Sequence, residues 1–570
     1  IYRLAPAFVI ATVDKFARLA REGEAASLFG YVSKRCERHG FVHVDYQGCD
    51  IKDGSKHPAR AGLPAAPIHP HRRLRPPDLI IQDELHLITG ALGTTVGLFE
   101  VAIDALTTWR TATGTTAKPV IVASTATVRN AAEQVRGLYG RGVLLFPPRV
   151  LDAGDTYFST DVPISRENPG RRYLGVSTTG VRLTTAEIRI AEVLMSGAQL
   201  VLDRCGAVAD PYMTLVGYFN ATRELAGMTR YMQDDVQTAL SKGRPSIGLP
   251  RRTGTDFGSL NIDELTSRVS GAGITETLDK MATVFDPAFD SSQGRRERRE
   301  ALARGETVPS RTVNPYDAIL ATSMLQVGVD VTRLGLMLLV GQPKNTAEYI
   351  QASSRVGRDG ARPGLVITLG NWARPRDLAH YEQFRHYHET FYAQVEPLSV
   401  TPFSVTSMER GLDGVLVSAA RVLDAVNPKG LSPEKSAGRI AEQRGVVERL
   451  IDALVARALA ASDETSASFA RSRLINRLDQ WEKRRTVLAD MGKSLAYERI
   501  KDQSTFGPLM RSAENVQRGA SQDEAPLIVA NSMREVQPEI NLLVSPDPKN
   551  LHWVQPANAP AWTASGKGGD

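Results

Sequence analysis

Cysteine and long apolar runs are scarce in this sequence. Three cysteines among 570 residues cannot form a disulfide framework, which excludes the small disulfide-rich secreted folds and predicts a reducing, cytoplasmic setting. No apolar run reaches the roughly 20 residues that a membrane span needs, so we expect no membrane partner. A signal segment is also lacking. The chain opens with IYRLAPAFVIATVDKF, without Met and within a strand-like pattern, which predicts a fragment of a longer protein.

Neither sign of charge dominates, since 69 Lys and Arg face 63 Asp and Glu for a formal net charge of +6. This balance permits a polyanionic partner without requiring one. Basic runs at 70–75, 244–252 and 294–300 favour contact with a nucleic-acid backbone, although solvated surface accounts for such runs equally well. Trp372, in GNWARPRD, is a candidate for stacking on a base, with packing as the alternative.

Short apolar runs alternate with helical patterns over about the first 375 residues. Strand-like runs occupy residues 7–12, 79–82, 119–124, 142–146, 214–219, 318–322, 334–341 and 364–370. Such alternation is typical of βαβ units and parallel sheets, so the sequence predicts an α/β fold with two lobes, 1–180 and 181–375. From 376 to 570 the pattern becomes mainly helical.

Two segments interrupt this alternation. Residues 31–78, rich in Pro, Gly, His and Arg, are predicted to form an insert in the first lobe, either a loop or a small subdomain. Residues 241–311, with their basic runs, are predicted to form an irregular, solvated and mobile insert in the second lobe.

Two adjacent acids follow the apolar run at 79–82. The segment LIIQDELH places Asp83, Glu84 and His86 directly after a predicted buried strand. Open α/β sheets bind ligands beyond the carboxyl ends of their strands. Asp83 would hold Mg²⁺ beside a triphosphate while Glu84 polarises the attacking water. An ordinary helix start, where acids complement the helix dipole, is the alternative.

A complementary cationic group occurs in the second lobe. Within YIQASSRVGRDG, Gln351 precedes Arg355 by four residues, and Arg358 follows three residues later. Guanidinium groups in this arrangement can bind phosphate oxygens bidentately and offset charge that develops in the transition state. A solvated helix face is the alternative.

The ordered set of short motifs resembles a known superfamily. DELH, TAT, ATSMLQVGVDV and QASSRVGR occur in the order and spacing of motifs II, III, V and VI of superfamily 2 helicases. With LIIQDELHLITGALGT and NSMREVQPEINLLV, the chain is similar to the DrmA helicases of DISARM anti-phage systems, which are related to the MrfA group of repair helicases. The resemblance implies two RecA-like lobes, the first incomplete at its amino terminus. It also implies an ATP-dependent helicase or translocase that acts on DNA with ATP and Mg²⁺, with other defence subunits as candidate partners.

The resemblance also assigns a role to each matching residue. Catalysis falls to Asp83, which would also hold Mg²⁺, and to Glu84, His86, Arg355 and Arg358. Nucleotide contacts, or coupling between the lobes, fall to Thr125, Thr127, Gly328, Asp330 and Gln351. Nucleic-acid contacts fall to Thr12, Lys15, Asn220, Arg223, Thr322 and Ser323, of which the first four suit ordinary strand and helix-cap positions equally well.

A phosphate-binding loop is expected but is missing before the acids. Enzymes of this class need a glycine-rich loop that ends in Gly-Lys-Ser/Thr. None precedes the run at 79–82, and Gly566-Lys567, in the tail, lacks a following hydroxyl. The resemblance places this loop upstream of residue 7. We therefore expect the chain as given to bind ATP poorly and not to turn it over.

The first insert carries a candidate metal site. Cys36 and His39 have C-x-x-H spacing, Cys49 follows, and His57, His69 and His71 are near. Four of these side chains, with Cys36, His39, Cys49 and His57 as the candidate set, suit a tetrahedral Zn²⁺ that would staple a segment too small for its own core. An exposed basic loop is the alternative, because the second half of the set lacks tight spacing. Cys205, at a predicted helix end, is expected to be a small core residue.

Three functions remain open on the sequence alone. An ATP-driven motor explains both the acids and the arginines. A catalytically inactive scaffold that binds nucleic acid is the main alternative, although intact acids and arginines argue against loss of catalysis. A metal-dependent nuclease built on Asp83, Glu84 and nearby histidines would leave the arginines of the second lobe unexplained.

Overall fold

The helices and strands alternate up to about residue 370 and become mainly helical afterwards in the computed structural model. The structure describes residues 1–533 apart from 47, 50–53, 61, 126–129, 149, 153, 255–257, 267–270, 327–329, 397–398, 501, 503 and 513–524.

The helices are α1 Gly90–Thr107, α2 Ala131–Tyr139, α3 Leu183–Cys205, α4 Asp210–Met213, α5 Thr222–Tyr231, α6 Gln237–Lys242, α7 Gly271–Met281, α8 Pro287–Asp290, α9 Ser292–Ala303, α10 Thr346–Ser353, α11 Pro375–Glu382, α12 Phe384–Glu389, α13 Val405–Leu423, α14 Ile440–Ala461 and α15 Glu464–Asp490. The strands are β1 Lys34–Cys36, β2 Gly40–Phe41, β3 Lys56–His57, β4 Ala66–Pro70, β5 Leu79–Gln82, β6 Trp109–Arg110, β7 Thr116–Ala117, β8 Val120–Ala123, β9 Arg171–Ser177, β10 Leu215–Phe219, β11 Ile262–Leu265, β12 Ala318–Ala321, β13 Leu336–Val340, β14 Gly364–Gly370, β15 Ser494–Ala496, β16 Phe506–Pro508, β17 Met510–Arg511 and β18 Leu527–Ile528.

The second lobe is built on a six-stranded parallel sheet in the order β11-β12-β10-β13-β14-β9. Its central strands β10, β12 and β13 are buried along their whole length. On β13, Leu336, Leu338 and Val340 belong to a core formed with α3 and α5. Met337 and Leu339 point to the opposite core, formed with α7 and α10. Burial on both faces explains why these strands are apolar at nearly every position.

The second lobe includes residues on both sides of the predicted range 181–375. Strand β9 pairs with β14, with Arg171 opposite Gly364, so the sheet begins before the predicted boundary. At the other end, Tyr387 belongs to the core beneath the sheet. Strand pairing and packing set these bounds, whereas the apolar pattern alone misses them.

The prediction of an irregular, mobile insert at 241–311 is wrong for much of that range. It contains β11, which is an edge strand of the sheet, and helices α7, α8 and α9. Arg252 is only 1% exposed, and its Nη2 donates to Asp317 Oδ1 at 2.7 Å. Of the arginines of α9, Arg296 and Arg299 are exposed, whereas Arg295 and Arg298 are half-buried.

The first lobe contains a two-stranded parallel sheet of β5 and β8, as predicted for those two runs. Ile81 and Val122 on these strands are 60% and 50% exposed. The prediction of strands at 7–12 and 142–146 is wrong: both runs are exposed and neither forms a strand. An apolar run forms a strand only where a neighbouring strand supplies hydrogen bonds, and no described residue pairs with either run.

The carboxyl-terminal helices share a hydrophobic core with the first lobe. Leu98 and Phe99 of α1 are buried in one cluster with Leu416 of α13, Leu450 of α14 and Trp481 of α15. The same interface contains polar contacts; for example, Arg457 of α14 donates to Leu138 O of α2 at 3.0 Å. Thus, helices from the end of the chain complete the core of its beginning.

Helix α1 lies at the centre of this shared core. Among the described residues it is the helix whose length and apolarity would allow a membrane span. However, 61% of it is buried inside the protein, as expected of a core helix.

The described residues of the first insert form a small subdomain. Its strands form a four-stranded antiparallel sheet in the order β2-β1-β4-β3. Cys36 on β1 lies opposite Gly40 on β2 and Ile68 on β4.

Candidate active site

The acids lie at the carboxyl ends of β5 and β8. Gln82 is opposite Ala123 in the parallel register, so the next residues, Asp83 and Ser124, are neighbours. The Ser124 hydroxyl donates to Asp83 Oδ1, which also accepts from the Glu84 backbone N–H at 2.9 Å. The Asp83 side chain is exposed, which leaves its other oxygen accessible to a cation.

The backbone turns sharply at Glu84. Its φ of 52° and ψ of 49° are left-handed, a conformation that costs a non-glycine residue about 1–3 kcal/mol. The turn is held by Leu85, whose N–H donates to Ser124 O at 2.9 Å, and is followed by a 3₁₀ turn at Leu85–Leu87. Backbone strain of this kind often occurs at functional sites, where the surrounding structure fixes the side chain.

His86 is buried at the contact between the two lobes. Its Nε2 meets the side-chain amide nitrogen of Gln351. Because an amide nitrogen can only donate, the imidazole accepts at Nε2 and carries its proton on Nδ1. Nδ1 lies 3.4 Å from Glu84 Oε2. Burial lowers the pKa of His86, although the Glu84 charge opposes this, so the ring is neutral near pH 7.

The arginines follow Gln351 along the chain. Helix α10 carries Gln351 and ends at Ser353, so Arg355 and Arg358 lie in the loop just beyond it. Burial lowers the pKa of half-buried Arg355, with Arg358 as the next cause, while the charges of Glu84 and Asp330 raise it. Arg355 is therefore within electrostatic reach of an acid of the first lobe and of the second arginine. Arg358 Nη1 donates to the exposed Asp330.

The structure thus brings Glu84, His86, Gln351 and Arg355 together between the lobes, with Asp83 and Arg358 adjoining. Paired acids on one side and guanidinium groups on the other have the chemistry to bind Mg²⁺ and a triphosphate. Ser124, the first residue of the STAT segment at 124–127, is the polar partner of Asp83. The parallel register of β5 and β8 places the two residues side by side.

Of the remaining nucleotide candidates, one lies beside Ser124 and two lie outside the described residues. Thr125 lies next to Ser124 and is exposed. Thr127 and Gly328 lie outside the described residues, as does most of the segment 531–544.

The candidates for nucleic-acid contact fall into two groups. Exposed side chains belong to Thr12, Lys15, Arg223 and Ser323. Asn220 instead donates its amide to the carbonyls of Val340 at 3.2 Å and of Gln342 at 3.3 Å, and Thr322 is only 8% exposed. Both of these residues serve the sheet of the second lobe in this conformation.

Part of the basic run at 244–252 is used inside the protein. Arg244 Nη2 donates to Glu192 Oε2 at 3.0 Å, and Arg252 is buried against Asp317. The charge of Arg252 is therefore not available to a polyanion, and that of Arg244, whose side chain is 42% exposed, is already paired with an acid. Trp372 is 53% exposed beside the second lobe, so its ring has a free surface.

A Gly-Lys-Ser tripeptide occurs far from the acids, at 492–494. It lies between α15 and β15, whereas a phosphate-binding loop runs from a strand into a helix. The position that should hold the first glycine of the loop is Val487. This tripeptide therefore lacks the features of a phosphate-binding loop.

A second constellation lies in the insert. One ligand atom from each of Cys36, His39, Cys49 and His57 lies within 4.8 Å of the others. Cys205 is exposed, contrary to the expectation of a core residue.

Comparison with known proteins defines the class. Residues 283–360 match the helicase conserved C-terminal domain. Over 442 residues the chain is 38% identical to the DISARM protein DrmA of Bacillus paralicheniformis, covering 76% of this chain and 36% of that protein.

Two solved helicases are also similar, with low scores. The helicase MrfA bound to DNA is 17% identical with a TM-score of 0.36, covering 60% of this chain and 37% of its own. Mycobacterium smegmatis Lhr bound to ssDNA and AMP-PNP is 15% identical with a TM-score of 0.37, covering 69% and 37%.

The chain belongs to the superfamily 2 helicases, with their α/β fold. Within that superfamily it is of the DrmA type, and it spans about a third of the length of its DrmA relative, 36%.

Proposed function

We propose that this chain is the motor portion of an ATP-dependent helicase or translocase that acts on DNA. The observation that carries the proposal is the contact between His86 and Gln351, which joins the acids of one lobe to the arginines of the other. A helicase motor needs such a connection, because the nucleotide must change the relation between its two lobes.

The residues of the site fit a magnesium–triphosphate complex. When bound, ATP supplies the phosphoryl group whose hydrolysis drives the cycle. Asp83 offers an exposed carboxylate oxygen to Mg²⁺ while Ser124 and the Glu84 N–H hold its other oxygen in place. Glu84 orients the attacking water, and Arg355 and Arg358 offset the charge that develops on the phosphate oxygens.

His86 would carry the state of the site across the cleft. Its neutral ring bonds Gln351 at Nε2 and directs Nδ1 toward Glu84. A movement of Glu84 would therefore displace His86 and, through Gln351, helix α10, which positions the arginines.

The proposal includes a role in bacterial anti-phage defence, in the cytoplasm, with other defence subunits as partners. The identity with DrmA supports the defence role. DNA as substrate is supported by the exposed Arg296 and Arg299 of α9 and the exposed ring of Trp372, which suit a backbone and a base respectively. Because no glycine-rich loop accompanies the acids, we expect these 570 residues alone to bind ATP poorly and not to turn it over.

The decisive variant is Glu84→Gln in the full-length protein. We expect DNA-stimulated ATP hydrolysis to fall about 100-fold or more, because the amide cannot accept the proton of the attacking water. DNA binding, measured by fluorescence anisotropy at fixed salt, should stay unchanged. Glu133→Gln is the matched control, since Glu133 is an exposed acid on α2 of the same lobe.

Unchanged ATP hydrolysis in Glu84→Gln would contradict the proposal that the chain is a motor. Binding of DNA without any hydrolysis in the unaltered full-length protein would support an inactive scaffold instead. Cleavage of DNA with metal but without nucleotide would support a nuclease.

A further inference from the structure

We propose that Cys36, His39, Cys49 and His57 bind a structural Zn²⁺ in the insert of the first lobe. The site is separate from the proposed nucleotide site and does not depend on it. Its ligand class is a borderline-soft divalent cation, because two thiolates and two imidazoles form a Cys₂His₂ set.

The four ligand atoms lie close together. Cys36 Sγ lies 3.5 Å from His39 Nδ1, and Cys49 Sγ lies 3.1 Å from His57 Nε2. Around a zinc ion with bonds of about 2.0–2.3 Å, tetrahedral ligand atoms are separated by about 3.3–3.8 Å. All four atoms lie within 4.8 Å of one another, so small side-chain movements would complete the site.

The fold of the insert delivers these residues from separate segments. Cys36 ends β1, and His39 lies in the turn before β2. Gly40 makes that turn possible with a φ of +81°, where a Cβ would meet Arg3 O at 2.0 Å. His57 ends β3, which pairs with β4, and β4 pairs with β1. If the insert were only a solvated basic loop, its fold would not need to bring these cysteines and histidines together across a sheet.

The insert has almost no core without the metal. Its buried apolar cluster consists of Cys36, Cys49 and Ile68, with Val42 and Tyr46 packed against it. Two of the three buried members are themselves proposed ligands. A four-stranded sheet with so small an apolar core normally needs a staple, and none of the chain's cysteines forms a disulfide.

The metal would also fix the contact between the insert and the carboxyl-terminal helices. Asp45, between His39 and Cys49, accepts from the Glu434 N–H at 2.9 Å. Glu434 in turn accepts from Arg421 Nη2 at 2.7 Å, and Arg421 of α13 is 1% exposed. Ligands on both sides of Asp45 would hold this segment in its bonded position.

The test is metal analysis of the full-length protein purified under reducing conditions. We expect about one Zn²⁺ per chain by inductively coupled plasma mass spectrometry. Cys36→Ser and His57→Gln should each lose the zinc. Cys205→Ser and His69→Gln should retain it, since Cys205 is exposed and His69 lies in the same sheet with its side chain 58% exposed.

A second measurement does not depend on variants that fold. Replacing the zinc of the unaltered protein with Co²⁺ should give the visible absorption of tetrahedral cobalt with thiolate ligands. Treatment with a chelator should increase hydrogen exchange within 34–70 while leaving the sheet of the second lobe protected. Metal-free protein with a fully protected insert, or zinc that survives Cys36→Ser, would overturn the proposal.

Discussion

The two lobes bury their sheets in different ways. In the second lobe, β10, β12 and β13 are buried at every position, with cores on both faces. In the first lobe, no position of β5 or β8 is fully buried. The main core of the first lobe lies instead between α1, α2 and helices α13, α14 and α15.

This difference concerns how far each core reaches along the chain. The cores of the second lobe are closed within its own residues, from Tyr173 to Phe391. The core of the first lobe joins residues as distant as Ala17 and Met533. We therefore expect the second lobe to be one cooperative unit and the first lobe with the carboxyl-terminal helices to be another.

The largest expected effect comes from Trp481→Ala. Trp481 is fully buried, and its Nε1 donates to Ala437 O at 2.9 Å. Its truncation should lower the free energy of unfolding by about 3–5 kcal/mol, because it leaves a large cavity and an unpaired carbonyl. Hydrogen exchange should show the loss in α1, α13 and α14 but not in β10 or β13.

The matched variant in the other unit is Met337→Ala, at a fully buried position of β13. Its loss, about 2–5 kcal/mol, should be confined to the second lobe. Equal loss of protection in both units after either substitution would show that the molecule unfolds as a whole.

A smaller effect should appear with pH at His43, which joins the insert to the carboxyl-terminal helices. Nδ1 accepts from the Asp45 N–H at 3.2 Å, and Nε2 lies 2.9 Å from Ser432 Oγ. Burial, and then the charge of Arg421, lower the pKa of His43 from its usual 6.5 to about 4.

The unfolded chain therefore binds a proton below pH 6.5 that the folded chain refuses until about pH 4. The stabilisation that His43 provides at neutral pH, up to about 3 kcal/mol, should be lost as the pH falls through this window. In urea unfolding, the difference in the free energy of unfolding between the unaltered protein and His43→Gln should shrink as the pH is lowered from 7 to 4. His386→Gln, at an exposed ring, should show no such closure.

The smallest effect is expected where the two units meet. Gln351→Ala removes the hydrogen bond to His86, so the closed relation of the lobes should lose about 1 kcal/mol. Energy transfer between dyes on α2 and α9 should report a broader distance distribution. Gln293→Ala, on exposed α9, is the control. An unchanged distribution would mean that this contact does not hold the lobes together.

Local patterns predicted most of the elements. The runs at 79–82 and 318–322 became β5 and β12, and the helical patterns near the end became α13 to α15. The runs at 7–12 and 142–146 are equally apolar but are not strands. The difference lies in partners, because a strand needs a neighbour that the run itself does not specify.

In the candidate site, too, the residue types could be predicted from the sequence but their contacts could not. DELH and QASSRVGR identify acids and arginines by residue type and order. The contact between His86 and Gln351, 265 residues apart, and the bond from Ser124 to Asp83 depend on how lobes and strands are placed. The prediction for Asn220 stays untested, although its amide is engaged by backbone carbonyls.

The sequence by itself determined the α/β class, the helicase motifs and the presence of candidate cysteine and histidine ligands in the insert. Each depends on residue type and spacing over a short stretch of chain, which sequence displays directly. Only the tertiary structure decided that the last helices complete the core of the first lobe and that Arg252 is buried rather than exposed. These outcomes depend on which distant surfaces exclude water together, and that is a property of the folded chain as a whole.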